Sequence, residues 1–311
     1  MPEENYVWLP RKNILTFEET SRLVDAFIDV GVDKIRLTGG EPLLRKDLPD
    51  LVELLSKKSS IQDLALTTNG MLLAERAVEL RDAGLHRITV SLDTLRADRF
   101  RELTRFDGLD SVKNGLEAAQ KAGFTDLKID TVVIRGVNED EILDLLAFGE
   151  HISAEVRFIE YMDVGGATRW SSSDVVSRRE MLSLITSSIG PVTPVDLSSS
   201  APADRFLLPS GQSFGIISST TEPFCKSCDR SRLTADGLWF LCLYARTGAD
   251  LRKHLRSGMT PHELRELIKS TWTTRTDRGA EVRLDASDRQ SLIPIETLQK
   301  EPHLEMHTRG G

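Results

Sequence analysis

Apolar and polar positions alternate with two different periods along the first half of the chain. Short β-rich runs occur at Lys34–Thr38, Leu64–Thr68, Arg87–Ser91, Lys128–Ile134 and Glu155–Tyr161. Between them the period lengthens to that of a helix. Thr16 and Glu19 form a capping box, and Leu23, Phe27 and Val30 follow at helical spacing; Leu73–Ala83, Ser111–Ala122 and Glu139–Glu150 are further helical stretches. Strands alternating with helices predict βα units on a parallel sheet, so the fold class is α/β. Arg36, Thr67, Ser91, Lys128 and Met162 lie on these strands or near their C-terminal ends, where a parallel barrel gathers its ligand chemistry.

The pattern changes after Met162. Residues 163 to 175 are rich in Gly, Ser and Thr, and the βα alternation is expected to end there. Leu197–Asp204 reads as a surface loop, and Phe206–Ser219 as a hairpin around Pro209-Ser210-Gly211. Thr260 to Glu263 opens a helix with a capping box and a first-position proline. Beyond Leu292 there is little periodicity, and the chain ends Arg309-Gly310-Gly311. The expected division is residues 1–196 and 197–311.

Composition excludes more than it selects. With 40% hydrophobic and 28% charged residues, the chain has the make-up of a water-soluble globular protein. No apolar run reaches membrane-spanning length. A net charge of −8 argues against nucleic acid as a partner, while leaving room for a local basic pocket. The first residues match neither a secretory signal nor a transit peptide, so a cytoplasmic, reducing location is expected.

The three cysteines change the picture. Cys225 and Cys228 form a C-x2-C pair, and Cys242 follows thirteen residues later. An odd, clustered set is a poor disulfide framework and a good ligand set. Asp236-Gly237 is a two-residue hairpin signal that would place Cys242 across from Ser231. On spacing alone two occupants stand level: a zinc ion completed by a histidine such as His254, or a [4Fe–4S] cluster with one iron left open. A free redox pair is a third, weaker option.

Several segments together carry a resemblance. They are Asp33–Pro42 with its Gly39-Gly40-Glu41-Pro42 turn, Thr67–Gly70, Ser91–Leu95, Glu155–Met162, the cysteine trio with Asp229–Arg232, and the terminal glycine pair. In this order the chain resembles the radical S-adenosylmethionine GTP 3′,8-cyclase (MoaA) family of molybdenum cofactor biosynthesis. The resemblance implies an incomplete (β/α)6 radical SAM barrel with a C-terminal cluster-binding extension. It implies that Gly40, Ser91 and Met162 contact S-adenosylmethionine, and that Arg36, Thr67, Lys128, Arg230 and Arg232 hold GTP. Cys225, Cys228 and Cys242 would ligate a [4Fe–4S] cluster, which the resemblance favours over zinc, and the Gly310-Gly311 tail would thread into the active site. The implied product is 3′,8-cyclo-7,8-dihydro-GTP. Implied partners are a reductant protein, a downstream cyclic pyranopterin monophosphate synthase and a second copy in a homodimer.

One departure stands out. The family carries a C-x3-C-x2-C motif directly before the segment that matches Met1, and with it most of the first barrel strand. These 311 residues on their own are therefore expected to be inactive in radical initiation and prone to aggregate at an open barrel flank. A non-catalytic, single-cluster GTP-binding protein is the alternative.

Overall fold

The computed structural model describes residues 9–164, 170–195, 200–285, 289 and 292–310. Helix α1 (Phe17–Ile28) leads into strand β1 (Lys34–Leu37), and α2 (Leu48–Ser56) into β2 (Asp63–Thr68). Then come α3 (Leu73–Asp82), β3 (Arg87–Ser91), α4 (Ala97–Thr104), α5 (Leu109–Lys121), β4 (Leu127–Val133), α6 (Ile142–His151) and β5 (Ala154–Glu160). Helix α7 (Arg178–Ile189) and strands β6 (Thr193–Val195), β7 (Asp204–Leu207) and β8 (Ser213–Ile217) follow. The C-terminal part holds β9 (Arg232–Leu233), β10 (Leu238–Phe240), β11 (Ala249–Asp250), α8 (Leu251–Arg256), α9 (Pro261–Thr273), α10 (Gly279–Leu284), α11 (Ile295–Lys300) and α12 (Met306–Arg309).

The main sheet has the order β1-β2-β3-β4-β5-β8-β7-β6. Strands β1 to β5 pair in parallel, and β8 continues that direction beside β5. The sheet is the wall of an open, incomplete α/β barrel. The βα alternation does not end at residue 163 as expected. Helix α7 and the β6–β7 excursion return the chain to a sixth parallel strand. Phe206–Ser219 is the expected hairpin, antiparallel, with Leu207 opposite Ser213.

Outward residues of the strands, such as Leu64, Leu66, Ile129, Val156 and Phe158, are buried under the helices. The alternate positions turn inward and are polar: Arg36, Thr67, Thr89, Lys128, Asp130, Glu155 and Arg157. That period of two is why one strand supplies both core and site.

A second apolar core joins the cysteine region to the barrel. Leu23, Ala26 and Phe27 of α1 pack with Trp239 of β10, Leu251 and Leu255 of α8, and Leu264 and Ile268 of α9. The Phe27 and Trp239 rings meet edge-on at 5.3 Å. Polar ties reinforce the contact: Leu15 N donates to Ala235 O at 2.8 Å, Arg252 Nη1 to Asn13 O at 2.8 Å, and Arg256 pairs with Glu19 at 2.7 Å. The cysteine hairpin is thus held by the first helix of the barrel.

Two local expectations need correction. The hairpin turn has three residues rather than two. Trp239 pairs with Leu233 and Phe240 with Arg232, one position off the expected register. Only Gly237 has positive φ (89°), so the loop is a turn closed by a glycine bulge and not a type I′ pair. Asp236 is buried and held by Thr234 Oγ1, Arg252 and His303, which no local rule anticipates. The segment after Leu292 is also structured, as α11 and α12. Helices of six and four residues carry too few positions to show a period.

Candidate functional site

The loop after β1 is built by Glu41. Its carboxylate caps the following turn by accepting from Leu43 N at 2.9 Å. It also accepts from Thr68 Oγ1 and Asn69 N, both at 2.7 Å, tying the Gly39-Gly40 turn to the loop after β2. Gly39 has φ of 149°, a conformation that disfavours a side chain. Gly40, Ser91 and Met162 stand just past or at the C-terminal ends of β1, β3 and β5. The same end of the sheet therefore presents all three residues expected to contact S-adenosylmethionine.

Below them, Arg36 Nη1 donates to Thr67 Oγ1 at 2.7 Å and to Thr89 Oγ1 at 3.1 Å. Burial pulls the Arg36 pKa down, and attraction to Asp130 opposes it. Lys128 sits deeper. Its ammonium meets both oxygens of Asp126 at 2.8 Å, and burial depresses its pKa. To reach a phosphate, Lys128 would have to exchange that partner. Asp130 lies beside Arg157 in register, and burial raises its pKa against the attraction of Arg157, Arg36 and Lys128. Arg157 and Asp130 belong to the same polar interior; the two-residue period of β4 and β5 was the available signal.

The cysteines lie in a short helical turn, Cys225–Ser227, and in the loop after β10. Arg230 Nη2 donates to Cys228 Sγ at 3.5 Å, while Arg275 donates to Cys228 O at 2.9 Å and to Cys228 Sγ at 3.6 Å. Tyr244 N donates to Cys242 Sγ at 3.4 Å. Burial opposes ionisation of Cys228, yet the Arg230 backbone N–H and the two guanidinium groups outweigh it and lower its pKa. Arg232 is held at about 10 by burial and by Arg230, with Cys228 and Cys242 opposing. Arg309 is likewise held at about 10 by burial and by Arg232, with Cys242 opposing.

Four arginines thus converge on the thiols. None of them forms a salt bridge with a carboxylate among the described residues. Arg230 Nε, Arg232 Nε, Arg275 Nε and Arg309 Nη2 are buried without a hydrogen-bond acceptor among the described residues. An anionic thiolate-bound cluster and a phosphate-bearing ligand fit such a donor set. No group of three or more His, Cys, Asp or Glu among the described residues surrounds a point suited to one metal ion, and His254 joins no such group. Arg275 and Arg309 are additions to the expected site; each arrives from outside the cysteine hairpin.

Two bridges join the cysteine loop to the barrel mouth. Asp163, next to Met162, accepts from Tyr244 OH at 3.2 Å and from Arg283 and Arg289 at 2.8 and 3.0 Å. Those bonds hold its pKa below the ordinary carboxylate range although burial opposes them. The second bridge is the tail. Gly310 has φ of 74°, and a Cβ there would collide with the Thr38 side chain. Gly310 therefore lies against the residue preceding Gly39, and Gly311 is outside the described residues.

Residues 5–149 match the family model of the Radical SAM superfamily, and residues 154–281 that of Molybdenum Cofactor Synthesis C. GTP 3′,8-cyclase 3 of Mycobacterium tuberculosis is 54% identical over 315 residues, covering 100% of this chain and 83% of the relative. The GTP 3′,8-cyclase of Acidothermus cellulolyticus is 48% identical over 93% of this chain and 82% of its own length. That of Aquifex aeolicus is 42% identical over 91% of this chain and 86% of its own. No helix among the described residues is long and apolar enough to cross a membrane. Radical SAM proteins as a class use S-adenosylmethionine and an iron–sulfur cluster. The chain belongs to the GTP 3′,8-cyclase family, the radical SAM enzymes of molybdenum cofactor synthesis.

Proposed function

We propose that the arginine-ringed trithiolate and the barrel mouth form one site that binds GTP and positions it for conversion to 3′,8-cyclo-7,8-dihydro-GTP. Cys225, Cys228 and Cys242 would hold a [4Fe–4S] cluster, and three thiolates would leave it one coordination position for the substrate. Arg230 and Arg232, with Arg36, Thr67 and Lys128, hold the triphosphate. Gly40, Ser91 and Met162 seat S-adenosylmethionine, which supplies the hydrogen-abstracting radical when bound with the family's reducing cluster.

The chain's own residues do the positioning. A glycine turn lets backbone carbonyls approach the amino group of the cofactor without Cβ interference. Planar guanidinium forks fix phosphate oxygens, and burial removes the competing water. Holding the ribose 3′ carbon and the guanine C8 together is the entropic part of the catalysis. Gly310 lies against Thr38 beside the cofactor turn, which supports a tail that threads towards the active site. Residues 1–196 serve mainly the cofactor side and residues 197–311 the cluster side. The reductant protein, the downstream synthase and a homodimer are the partners this reading carries.

The observation that supports it most is that, among the described residues, the four arginines beside the thiols pair with no carboxylate. Isothermal titration of the iron-reconstituted chain tests it. GTP binding should lose about tenfold or more on removal of one charge-assisted phosphate contact, as in Arg232→Met. Unchanged affinity in that variant would refute the assignment.

The second reading is a single-cluster nucleotide-binding protein, motivated by the count of three cysteines in 311 residues. Iron and sulfide analysis with a deoxyadenosine assay separates them. In a chain that carries the family's C-x3-C-x2-C segment, two clusters and deoxyadenosine formation support the enzyme; one cluster, GTP binding and no deoxyadenosine support the binding protein.

A further inference from the structure

We infer that Arg309 is a latch that makes docking of Gly310 against Thr38 conditional on a folded, cluster-bearing cysteine hairpin. The inference rests on the reading of the cysteine trio as a cluster site.

Arg309 is buried and held on three sides. Its Nε donates to His303 O at 2.7 Å, its Nη1 donates to Leu243 O at 2.8 Å, and its guanidinium lies 4.3 Å from the centre of the Phe240 ring. Phe240 and Leu243 flank Cys242 in sequence. The remaining nitrogen, Nη2, is buried without a hydrogen-bond acceptor among the described residues, so one donor is left for an anion at the cluster site.

The same segment grips the hairpin at its other end. His303 Nε2 lies 2.9 Å from Asp236 Oδ2, in the β9–β10 turn. Thr308 Oγ1 donates to Pro302 O at 2.5 Å and to Glu305 O at 2.8 Å, which keeps residues 302–309 compact between the two grips. Beyond Arg309 the chain goes straight to Gly310 and its contact with Thr38. One arginine therefore separates the residues around Cys242 from the cofactor turn of the barrel.

The Leu243 carbonyl is available only when the loop after Cys242 is folded. Tyr244 N donates to Cys242 Sγ at 3.4 Å and Ala245 N to Cys242 O at 3.2 Å. Ligation of Cys242 fixes that loop. A cluster that stabilises the loop must stabilise the inserted tail, and by reciprocity the inserted tail must retain the cluster by the same factor. Couplings of this kind are about 5- to 150-fold.

The test uses the 311-residue chain with nothing appended after Gly311. Carboxypeptidase release of Gly311 and Gly310 is followed by mass spectrometry, before and after anaerobic loading with iron and sulfide. Iron loss to a chelator is timed in parallel. In the wild type, loading should slow glycine release at least about fivefold. Arg309→Ala should release both glycines at one fast rate in either state and should lose iron faster by the same factor. His303→Ala, which cuts only the turn grip, should show a smaller change of the same sign. Equal protection in wild type and Arg309→Ala, or equal rates of iron loss, overturns the latch. A wild type that takes up no iron removes the cluster reading instead. The metal-free comparison then decides the anchoring, in which Arg309→Ala must still release Gly310 faster than wild type.

Discussion

At the closed end of the barrel, Arg87 pairs with Asp63 and Asp126, Lys128 pairs with Asp126, and Arg157 and Arg205 share Glu155. Around the cysteines, Arg230, Arg275 and Arg309 meet thiols, carbonyls and aromatic faces instead, and Arg232 is buried with its Nε unpaired among the described residues. Both regions bury cations, but only the first balances them internally. Burying a charge without a partner is unfavourable, so a protein keeps such a group where a ligand completes it. On the proposed reading the balanced network is part of the fold, with Lys128 the one member that would exchange its carboxylate for a phosphate, and the unbalanced set is the binding site.

The largest expected effect is on the unbalanced side. Cys228→Ser should drop iron in the reconstituted chain from about four atoms per cluster to near zero, read by metal analysis. Retained stoichiometric iron would contradict the ligand assignment.

Two arginine substitutions should then separate the regions. Arg232→Met should weaken GTP binding by about tenfold or more while leaving the melting temperature of the metal-free chain unchanged or higher. Arg87→Met should do the reverse, destabilising the fold by about 2 kcal/mol with nucleotide affinity kept. Calorimetry of both variants reads both quantities. A destabilised Arg232→Met with normal affinity would erase the distinction.

Glu160 tests the joint between the regions. It is fully buried and accepts from Arg178 N, Thr220 N, Thr221 N and Thr221 Oγ1, binding the end of β5 to the loop after β8. Glu160→Gln turns two acceptors into one and adds donors with no partner. It should cost about 2 kcal/mol in denaturant unfolding.

The smallest effect is at Glu19. Its bond to Arg256 lowers its pKa from 4.5 to about 2. The folded-state pKa is depressed, so its contribution is complete above pH 4.5 and is lost as pH falls towards 2. Glu19→Gln keeps the capping box and should cost at most about 1 kcal/mol at neutral pH, flattening the acid limb of a pH series of melts. An unaltered acid limb would mean the pair does not hold α1 to the cysteine region.

How much of this the sequence disclosed depended on range. Strands β1 to β5 stand within a residue of their expected ends, because a period of two is local. The capping boxes at Thr16 and Thr260 formed as read, and Ser177 with Glu180 forms a third that opens α7. The hairpin register slipped by one because Asp236 answers to His303 and Arg252, far away in the chain. Arg275 and Arg309 were silent for the same reason: nothing near them in sequence shows that they end beside Cys228 and Leu243. The terminal glycines were flagged by resemblance, and the contact of Gly310 with Thr38 gives that flag a location.

The most direct test is electron paramagnetic resonance of the reduced, iron-reconstituted chain with and without GTP. An open iron facing the nucleotide predicts that GTP shifts the cluster's g values and that Arg232→Met raises the concentration needed. Signals unmoved by saturating GTP, or a bound metal that is not iron, would contradict the account.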